Sequence, residues 1–220
     1  MIMSTLFSKI KYVVLPLLCL LFTVKASAQN ATTILDKAAT TYENANGIEA
    51  NFTLHTYSDV QNTGESMEGM IRMKGDKFTL TTPDALIWFD GTTQWVYVKR
   101  NEEVNVSNPS GEELQFTNPT LLLRNYKKDY KAAYKGESTA TNGKAAYDIE
   151  LTPKKKGDIE KVNMQIEKYA SLPASITITT TKGIQTAIYI NKLSVGQNQP
   201  DASFRFNEAD YPDADIVDLR

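Results

Sequence analysis

Residues 87–97 read Ile-Trp-Phe-Asp-Gly-Thr-Thr-Gln-Trp-Val-Tyr, with an Asp-Gly pair between two apolar runs. Glycine tolerates positive backbone φ angles, so this arrangement is typical of a tight turn that joins two antiparallel strands. The segment therefore predicts strands at Leu86–Phe89 and Trp95–Lys99. Apolar residues occupy both faces of the first strand, which predicts that it is covered on both sides.

The sequence before this hairpin changes from a helical to a strand pattern. Between Thr33 and Asn46, apolar residues recur every three or four positions, which predicts a helix that ends at Asn46-Gly47. From Ile48 to His55, apolar and polar residues alternate, which predicts a half-buried strand with His55 on its polar face. Two more strands are predicted at Met67–Lys74 and Phe78–Thr82.

The sequence after the hairpin is mostly β. Asn118 as an N-cap and Pro119 in a first turn predict a short helix over residues 118–123. Further strands are predicted at Tyr130–Lys135, Ala146–Leu151, Lys161–Lys168, Ala174–Thr180, Gln185–Leu193 and Ser203–Asn207. Close strand spacing with few helices favours one mainly β (α+β) domain, an antiparallel meander or barrel, over a parallel α/β sheet.

Residues 1–28 are predicted to be a cleaved secretory signal, which leaves residues 29–220 as the exported domain. Lys9 and Lys11 precede an apolar run over residues 12–24, and Ala26-Ser27-Ala28 is a small-x-small cleavage site. The run is shorter than the roughly 20 residues that a membrane-spanning helix needs. Cys19, the single cysteine, lies within it. Because Gln29 stands where a lipid-modified cysteine would have to be, we expect an unanchored domain without disulfides.

The charge of the exported domain is mildly acidic. The chain has 24 basic and 26 acidic residues, and three of the basic ones, Lys9, Lys11 and Lys25, lie in the signal. This balance argues against nucleic acid and against anionic lipid as partners. Lys154-Lys155-Lys156 is a local exception, and it is either a solvated hairpin loop or a docking patch for an acidic partner.

Few residues could carry catalysis or bind a metal. His55 is the only histidine and no nucleophile motif accompanies it, so neither a zinc site nor a Ser-His-Asp triad is expected. Neighbouring carboxylates, which are typical of solvated surface rather than of a glycosidase pair, occur at Glu102-Glu103, Glu112-Glu113 and Asp213/Asp215/Asp218. No glycine-rich phosphate loop is present in the sequence. We therefore expect no enzyme, no metal site and no cofactor.

The strands carry many large apolar residues. These are Phe52, Leu54, Met70, Ile71, Met73, Phe78, Leu80, Trp88, Phe89, Trp95, Tyr97, Met164, Ile176, Ile188 and Phe204. A curved sheet either fills its interior with such side chains or leaves room for an apolar ligand. Methionine and large aromatic residues suit an adaptable apolar pocket. The periodicity alone does not choose between the two.

Several segments, taken in order, resemble the LolA-type outer-membrane lipoprotein carriers. They are Phe52-Thr53-Leu54, residues 69–74 (Gly-Met-Ile-Arg-Met-Lys), the hairpin 87–97, residues 118–123 (Asn-Pro-Thr-Leu-Leu-Leu), residues 147–154 (Tyr-Asp-Ile-Glu-Leu-Thr-Pro-Lys) and residues 201–206 (Asp-Ala-Ser-Phe-Arg-Phe). No single piece is specific, but their order and spacing cover nearly the whole predicted domain.

This resemblance implies an incomplete antiparallel β-barrel covered by helices, with a hydrophobic cavity that shields the acyl chains of lipoproteins. The cavity residues that it implies are Phe52, Leu54, Ile71, Met73, Phe78, Leu80, Trp88, Trp95, Tyr97, Leu121, Leu122, Met164 and Ile188. It also implies a monomer in the periplasm of a Gram-negative bacterium, which takes cargo from inner-membrane release machinery to an outer-membrane acceptor. The alternative is an envelope lipid-binding or sensing module of the same fold.

The sequence departs from the family pattern at one turn. The family usually has an Arg followed by Pro before the strand that begins near Phe78, and that arginine tethers the helices over the cavity. Here the segment reads Lys74-Gly75-Asp76-Lys77. Lys74 and Lys77 are the candidates to replace the arginine, although lysine lacks its planar fork of donors.

Overall fold

The computed structural model describes residues 30–59, 62–109, 114 and 119–220. Helix α1 covers residues 30–43 and helix α2 covers Pro119–Asp129. The strands are β1 Ile48–Ser58, β2 Thr63–Lys74, β3 Lys77–Thr81, β4 Ala85–Phe89, β5 Gln94–Val98, β6 Glu103–Ser107, β7 Tyr130–Thr139, β8 Ala145–Pro153, β9 Ile159–Glu167, β10 Pro173–Thr180, β11 Ile184–Val195 and β12 Asp215–Asp218. Two short 3₁₀ helices, Asp201–Phe204 and Glu208–Asp210, lie between β11 and β12.

The strands form one 12-stranded sheet in the order β12-β6-β5-β4-β3-β2-β1-β11-β10-β9-β8-β7. Neighbouring strands are antiparallel except for β12, which is parallel to β6. In the described residues the sheet does not close, because β12 and β7 stand at its two ends. The predicted fold, an incomplete antiparallel β-barrel with helices, is confirmed.

Both helices pack on one face of this sheet, which we call the inner face. A first cluster of buried side chains joins α1 and α2 to β8, β9 and β10, through residues such as Leu35, Leu123 and Met164. A second cluster lies on β1 to β4 around Phe52 and Phe78. Apolar side chains at alternate positions of every strand in these clusters build this face, as the alternating sequence predicts.

The hairpin predicted from residues 87–97 is present as β4 and β5. Gly91 adopts a positive φ of 102°, a region that favours glycine. One carboxylate oxygen of Asp90, Oδ1, accepts hydrogen bonds from the backbone nitrogens of Thr92 (3.0 Å) and Thr93 (2.9 Å). The Asp-Gly pair therefore sets the turn through both its backbone freedom and its side chain.

The helices differ from their predicted bounds. Helix α1 runs over residues 30–43, three residues earlier than the pattern suggested, and Asn46 and Gly47 both adopt positive φ angles beyond its end. Helix α2 continues to Asp129, well past the predicted Leu123. Its longer extent has a physical cause, because Tyr126 is buried against α1 one turn after Leu122. The predicted N-cap, Asn118, lies outside the described residues.

The structure differs from the predicted elements most in the last part of the chain. The predicted strand Ser203–Asn207 is wrong, because residues Asp201–Phe204 form a 3₁₀ turn that buries Phe204 completely. Two strands, β6 and β12, were not predicted. Strand β6 has only two apolar residues, Val104 and Val106, between polar ones, and β12 is acidic and exposed, so neither has a strong apolar pattern.

Candidate functional site

The inner face provides a continuous apolar surface on β1, β2, β3 and β11. Of the predicted cavity residues, Phe52, Ile71, Met73 and Phe78 are buried there, while Leu54, Leu80 and Ile188 are half-buried against them. Ile87 and Ile190, which were not among the predicted cavity residues, join the same surface. The half-buried side chains mark the part of the inner face that is incompletely covered.

Phe52 is held in place by a glycine on the neighbouring strand. Its cross-strand partner is Gly69 of β2. A Cβ atom at position 69 would lie 2.4 Å from Phe52 Cζ and 3.0 Å from the carbonyl oxygen of Thr81. Glycine therefore lets the phenylalanine ring lie flat across β2, close to its backbone.

Helix α2 bridges the two apolar clusters of the inner face. Leu122 and Leu123 are buried in the first cluster with Met164, whereas Leu121 packs, half-buried, against the second. Leu114, before α2, is buried in the second cluster. The structure thus brings the predicted Leu121, Leu122 and Met164 to one covered face.

A pocket of about 140 Å³ opens between α1, α2 and the β2–β3 turn. Its apolar walls come from Ala39, Tyr42, Ile48, Met73 and Leu123, and charged and polar groups form its rim. Burial raises the pKa of the Tyr42 phenol, whose hydroxyl lies 3.9 Å from the sulfur of Met73. An apolar cavity of this size takes a group of about the volume of benzene, much less than a full acyl chain.

Charged and polar side chains fasten α2 to α1 and to the β2–β3 turn. Arg124 forms an ion pair with Asp76 in the β2–β3 turn, and its Nε lies 3.5 Å from Glu43 Oε1 on α1. Further along α2, Tyr126 donates a hydrogen bond of 2.8 Å to Asp36 on α1. Burial, reinforced by this carboxylate, raises the pKa of Tyr126. Lys127 pairs with the same Asp36 at 2.7 Å.

Neither lysine of the β2–β3 turn takes the tethering role for which it was a candidate. Lys74 and Lys77 both bind Asp201, at 3.0 Å and 2.6 Å, and thereby hold the first 3₁₀ helix. Hydrogen bonds from Lys77 and Lys74 lower the pKa of Asp201. The charged contact between this turn and α2 instead joins Asp76 to Arg124, so the arginine is on the helix.

Three predicted cavity residues, Trp88, Trp95 and Tyr97, lie on the outer face of the sheet. The register pairs Trp88 with Trp95, and both alternate with residues that face the helices, such as the buried Phe89. Because successive side chains of a strand point to opposite faces, these three do not join the other predicted cavity residues. Their assignment to the same cavity is therefore corrected.

The segment after β11 covers these residues and forms an outer aromatic cluster with them. The Trp88 ring centroid lies 5.5 Å from that of Phe206 and 5.6 Å from that of Tyr211, and the Tyr97 ring lies 4.8 Å from Tyr211. Such tilted and edge-on pairs add to the stabilisation from burial. The prediction that β4 is covered on both sides is explained by this second layer.

The polar groups of the described residues are dispersed rather than gathered at one point. His55 is exposed and its ring lies 5.6 Å from Tyr189. Within the described residues, no three His, Cys, Asp or Glu side chains gather as a metal would require. Hydrogen bonds from Arg220 lower the pKa of the Asp218 carboxyl to about 2, so this tail carboxylate is already paired. Glu112 and Glu113 lie outside the described residues. Among the described helices, none is both long and apolar enough to cross a bilayer.

Comparison with known families gives this geometry a context. A family model described as outer membrane lipoprotein carrier protein LolA matches residues 21–182. The chain belongs to this family. The apolar inner face and its two helices are therefore features of a lipoprotein-carrier-family fold.

Individual relatives of this LolA-family chain are distant. An uncharacterized protein of Methanocaldococcus jannaschii is 25% identical over 202 residues, which cover 89% of this chain and 58% of that protein. The chain thus spans little more than half of that relative. An uncharacterized conserved protein of Thermus thermophilus shares the fold with a TM-score of 0.56 at 12% identity, over 86% of this chain and 99% of that one. A LolA superfamily protein of Nitrosomonas europaea superposes with a TM-score of 0.45 at 14% identity, over 80% of this chain and 97% of that one.

Proposed function

We propose that this protein is a non-enzymatic carrier that shields the acyl chains of lipoproteins on its inner face and moves them through the periplasm toward the outer membrane. The observation that carries the proposal is a single apolar face, incompletely covered, over which α2 lies as the bridging element. Each methylene moved from water onto such a surface contributes about 0.8 kcal/mol. Acyl chains therefore bind there without any catalytic group.

The size of the pocket indicates how the carrier works. About 140 Å³ between α1, α2 and β2 is too small for a whole acyl chain. Leu121 of α2 packs against the same cluster as Leu54, Leu80 and Ile188, while Leu122 and Leu123 fill the first cluster. We expect cargo to displace α2 and to replace its leucines, so that the inner face exchanges one apolar cover for another.

The proposal includes the route of the protein. The signal predicted in residues 1–28 exports the chain, and the domain then diffuses as a monomer without a lipid anchor. Inner-membrane release machinery loads it and an outer-membrane acceptor unloads it. Membership of the lipoprotein-carrier family supports this route.

Binding of an acylated peptide tests the proposal. The protein, expressed as the full chain and purified from the periplasm, is titrated with a fluorescent diacylated lipopeptide and with the same peptide lacking acyl chains. We expect saturable one-to-one binding of the acylated peptide alone. Equal binding of both peptides, or no binding of either, would overturn the proposal.

Two neighbouring residues of β3 provide a matched pair of variants. Leu80 faces the inner surface, while Thr79 points to the other side of the same strand. Leu80→Gln places an amide among apolar groups, and we expect roughly tenfold weaker binding or more, since an unpaired buried polar group costs about 1–3 kcal/mol. Thr79→Gln should bind as the parent does. Thermal unfolding of both variants verifies that each is folded.

A further inference from the structure

Five neighbouring segments bring lysines together at one end of the strands. Lysines lie at the end of α2, at the start of β7, in the β8–β9 turn and next to it, and in the β10–β11 turn. The backbone nitrogen of Lys154 donates to the carbonyl of Asp129 at 2.8 Å, and that of Thr181 donates to Asp158 at 2.8 Å, so these segments are adjacent. We call this group the basic end; its members are Lys127, Lys128, Lys131, Lys154, Lys155, Lys156, Lys161 and Lys182.

The basic end carries an excess of positive charge that its neighbours do not neutralise. The acidic residues on these segments or in contact with them are Asp36, Asp59, Asp129, Asp158 and Glu160, five against eight lysines. Asp36 is already engaged with Lys127 and Tyr126. Within the described part of the chain, Lys128, Lys131, Lys155, Lys156, Lys161 and Lys182 have no ion-pair partner.

This local charge is opposite in sign to that of the whole chain. The acidic composition argued against contact with anionic lipid, but a net charge averages over the surface. Acidic residues are instead numerous in the segment 208–218, on and near the β12 edge of the sheet. The basic end is near the opposite edge, at β7 and β8. Residues near the two edges of the sheet therefore differ in the sign of their charge, and the field near each group of residues is set mainly by that group.

The type of residue indicates the type of partner. The basic end contains lysines and no arginine, although interfaces with proteins are enriched in arginine and depleted in lysine. Lysine is a compact charge on a flexible stem, which suits phosphate groups in no fixed arrangement. Close by, Ile184 at the start of β11 is 37% exposed and Tyr57 on the neighbouring β1 is 41% exposed. An exposed tyrosine and aliphatic residue beside lysines are typical of a membrane interface.

We propose that the basic end binds an anionic lipid surface. Bound in this way, the protein would present the junction of α2 and β7, at Asp129 and Tyr130, to the membrane. The inference goes beyond the carrier function, since it concerns where the protein docks rather than what its inner face holds. Each lysine near an anionic surface contributes roughly fivefold to partitioning, and this attraction fades beyond about 10 Å at 0.1 M salt.

Flotation with lipid vesicles tests this inference. The protein purified from the periplasm is mixed with vesicles of phosphatidylglycerol and phosphatidylethanolamine, or with neutral vesicles of phosphatidylcholine. We expect flotation with the anionic vesicles only, and its loss at about 1 M salt, where charges are screened within about 3 Å. Flotation with neutral vesicles to the same extent, or none with anionic vesicles, would overturn the proposal.

Charge-reversal variants locate the contact. Lys155→Glu/Lys156→Glu should lower flotation at least about tenfold, whereas Arg100→Glu/Lys192→Glu, which makes the same change of net charge at exposed positions elsewhere, should leave it nearly unchanged. Equal losses in both pairs would contradict a localised site. Tighter binding to soluble polyglutamate than to anionic vesicles would assign the basic end to an acidic protein instead. The Lys155/Lys156 variant should still bind soluble lipopeptide, which separates this inference from the carrier proposal.

Discussion

Arg124 of α2 forms an ion pair with Asp76 in the β2–β3 turn while its Nε lies 3.5 Å from Glu43 on α1. One cation thus connects three elements at the rim of the pocket. The arginine side chain is 30% exposed and Asp76 61% exposed, so water reaches the contact. Exposed ion pairs contribute at most about 1 kcal/mol, and a contact of this strength holds α2 in place without preventing its movement.

Replacing this arginine should loosen α2 more than it weakens the fold. In Arg124→Gln, we expect uptake of a fluorescent lipopeptide, followed by stopped flow, to accelerate several-fold. The free energy of unfolding should fall by no more than about 1 kcal/mol. Arg72→Gln, which removes an exposed pair with Glu49 away from α2, is the control and should change neither uptake nor binding. An unchanged uptake rate in Arg124→Gln would show that this contact does not restrain α2.

Tyr126 should make the packing of α2 on α1 sensitive to alkaline pH. Its pKa is raised above the ordinary value of 10.0, chiefly by burial. A group with a raised pKa stabilises the fold below its unfolded value and loses that contribution as the pH rises through its folded value. The free energy of unfolding should therefore decline above about pH 10. In Tyr126→Phe, we expect a loss of about 1 kcal/mol at neutral pH and a flatter decline above pH 10, measured by denaturant titration.

Both tryptophans should remain insensitive to bound cargo. Trp88 and Trp95 lie on the outer face, on the other side of the sheet from Leu80 and Ile188. A lipopeptide with brominated acyl chains should therefore bind without strongly quenching the tryptophan fluorescence. Ile188→Trp introduces an emitter on the inner face, and its fluorescence should be quenched on binding. Strong quenching in the parent protein would place the cargo at the outer aromatic cluster.

Of the two glycines on β2, Gly69 should tolerate replacement by alanine less well than Gly64. In Gly69→Ala, the new methyl group would lie 2.4 Å from the Phe52 ring and 3.0 Å from the backbone oxygen of Thr81. Overpacking of this kind costs about 1–3 kcal/mol. At Gly64 of the same strand, a Cβ atom meets its neighbours at an ordinary 3.6 Å, so Gly64→Ala should be neutral or slightly stabilising. Equal melting temperatures for the two variants would contradict this account of Phe52.

Most of the fold could be predicted from the sequence, because alternating apolar and polar residues indicate the strands and Asn-Gly and Asp-Gly pairs indicate turns. The strands from β1 to β5 and from β7 to β11 lie where this pattern predicts them, with somewhat different ends. Strands β6 and β12 were not predicted, because they are stabilised by pairing with other strands and have no strong apolar pattern of their own. Val104 and Val106 are buried only because Trp95, Tyr97 and β12 surround them.

The candidate site was harder to predict than the fold. In β4 and β5, apolar residues occupy both faces, so alternation alone does not reveal which face meets the helices. The tryptophans were assigned to the cavity for that reason, whereas packing with Phe206 and Tyr211 places them outside. The ion pair of Arg124 joins residues nearly fifty positions apart, and no local pattern marks such a pair.

The order of the strands also determines how the protein must fold. Strands β1 to β6 and β7 to β11 form two runs in which sequential strands are neighbours, and among the described strands the two runs meet at one seam, the pairing of β1 with β11, whose partners include Ile48 and Val195. Closing that seam requires a loop of more than a hundred residues, which is slow compared with local hairpin formation. Each half can form its own hairpins early, but neither buries its apolar face until the seam closes and the helices settle on it. During that interval the chain exposes the same apolar surface that we propose as the lipid-binding face, and unfolded chains with such surfaces exposed are prone to aggregate.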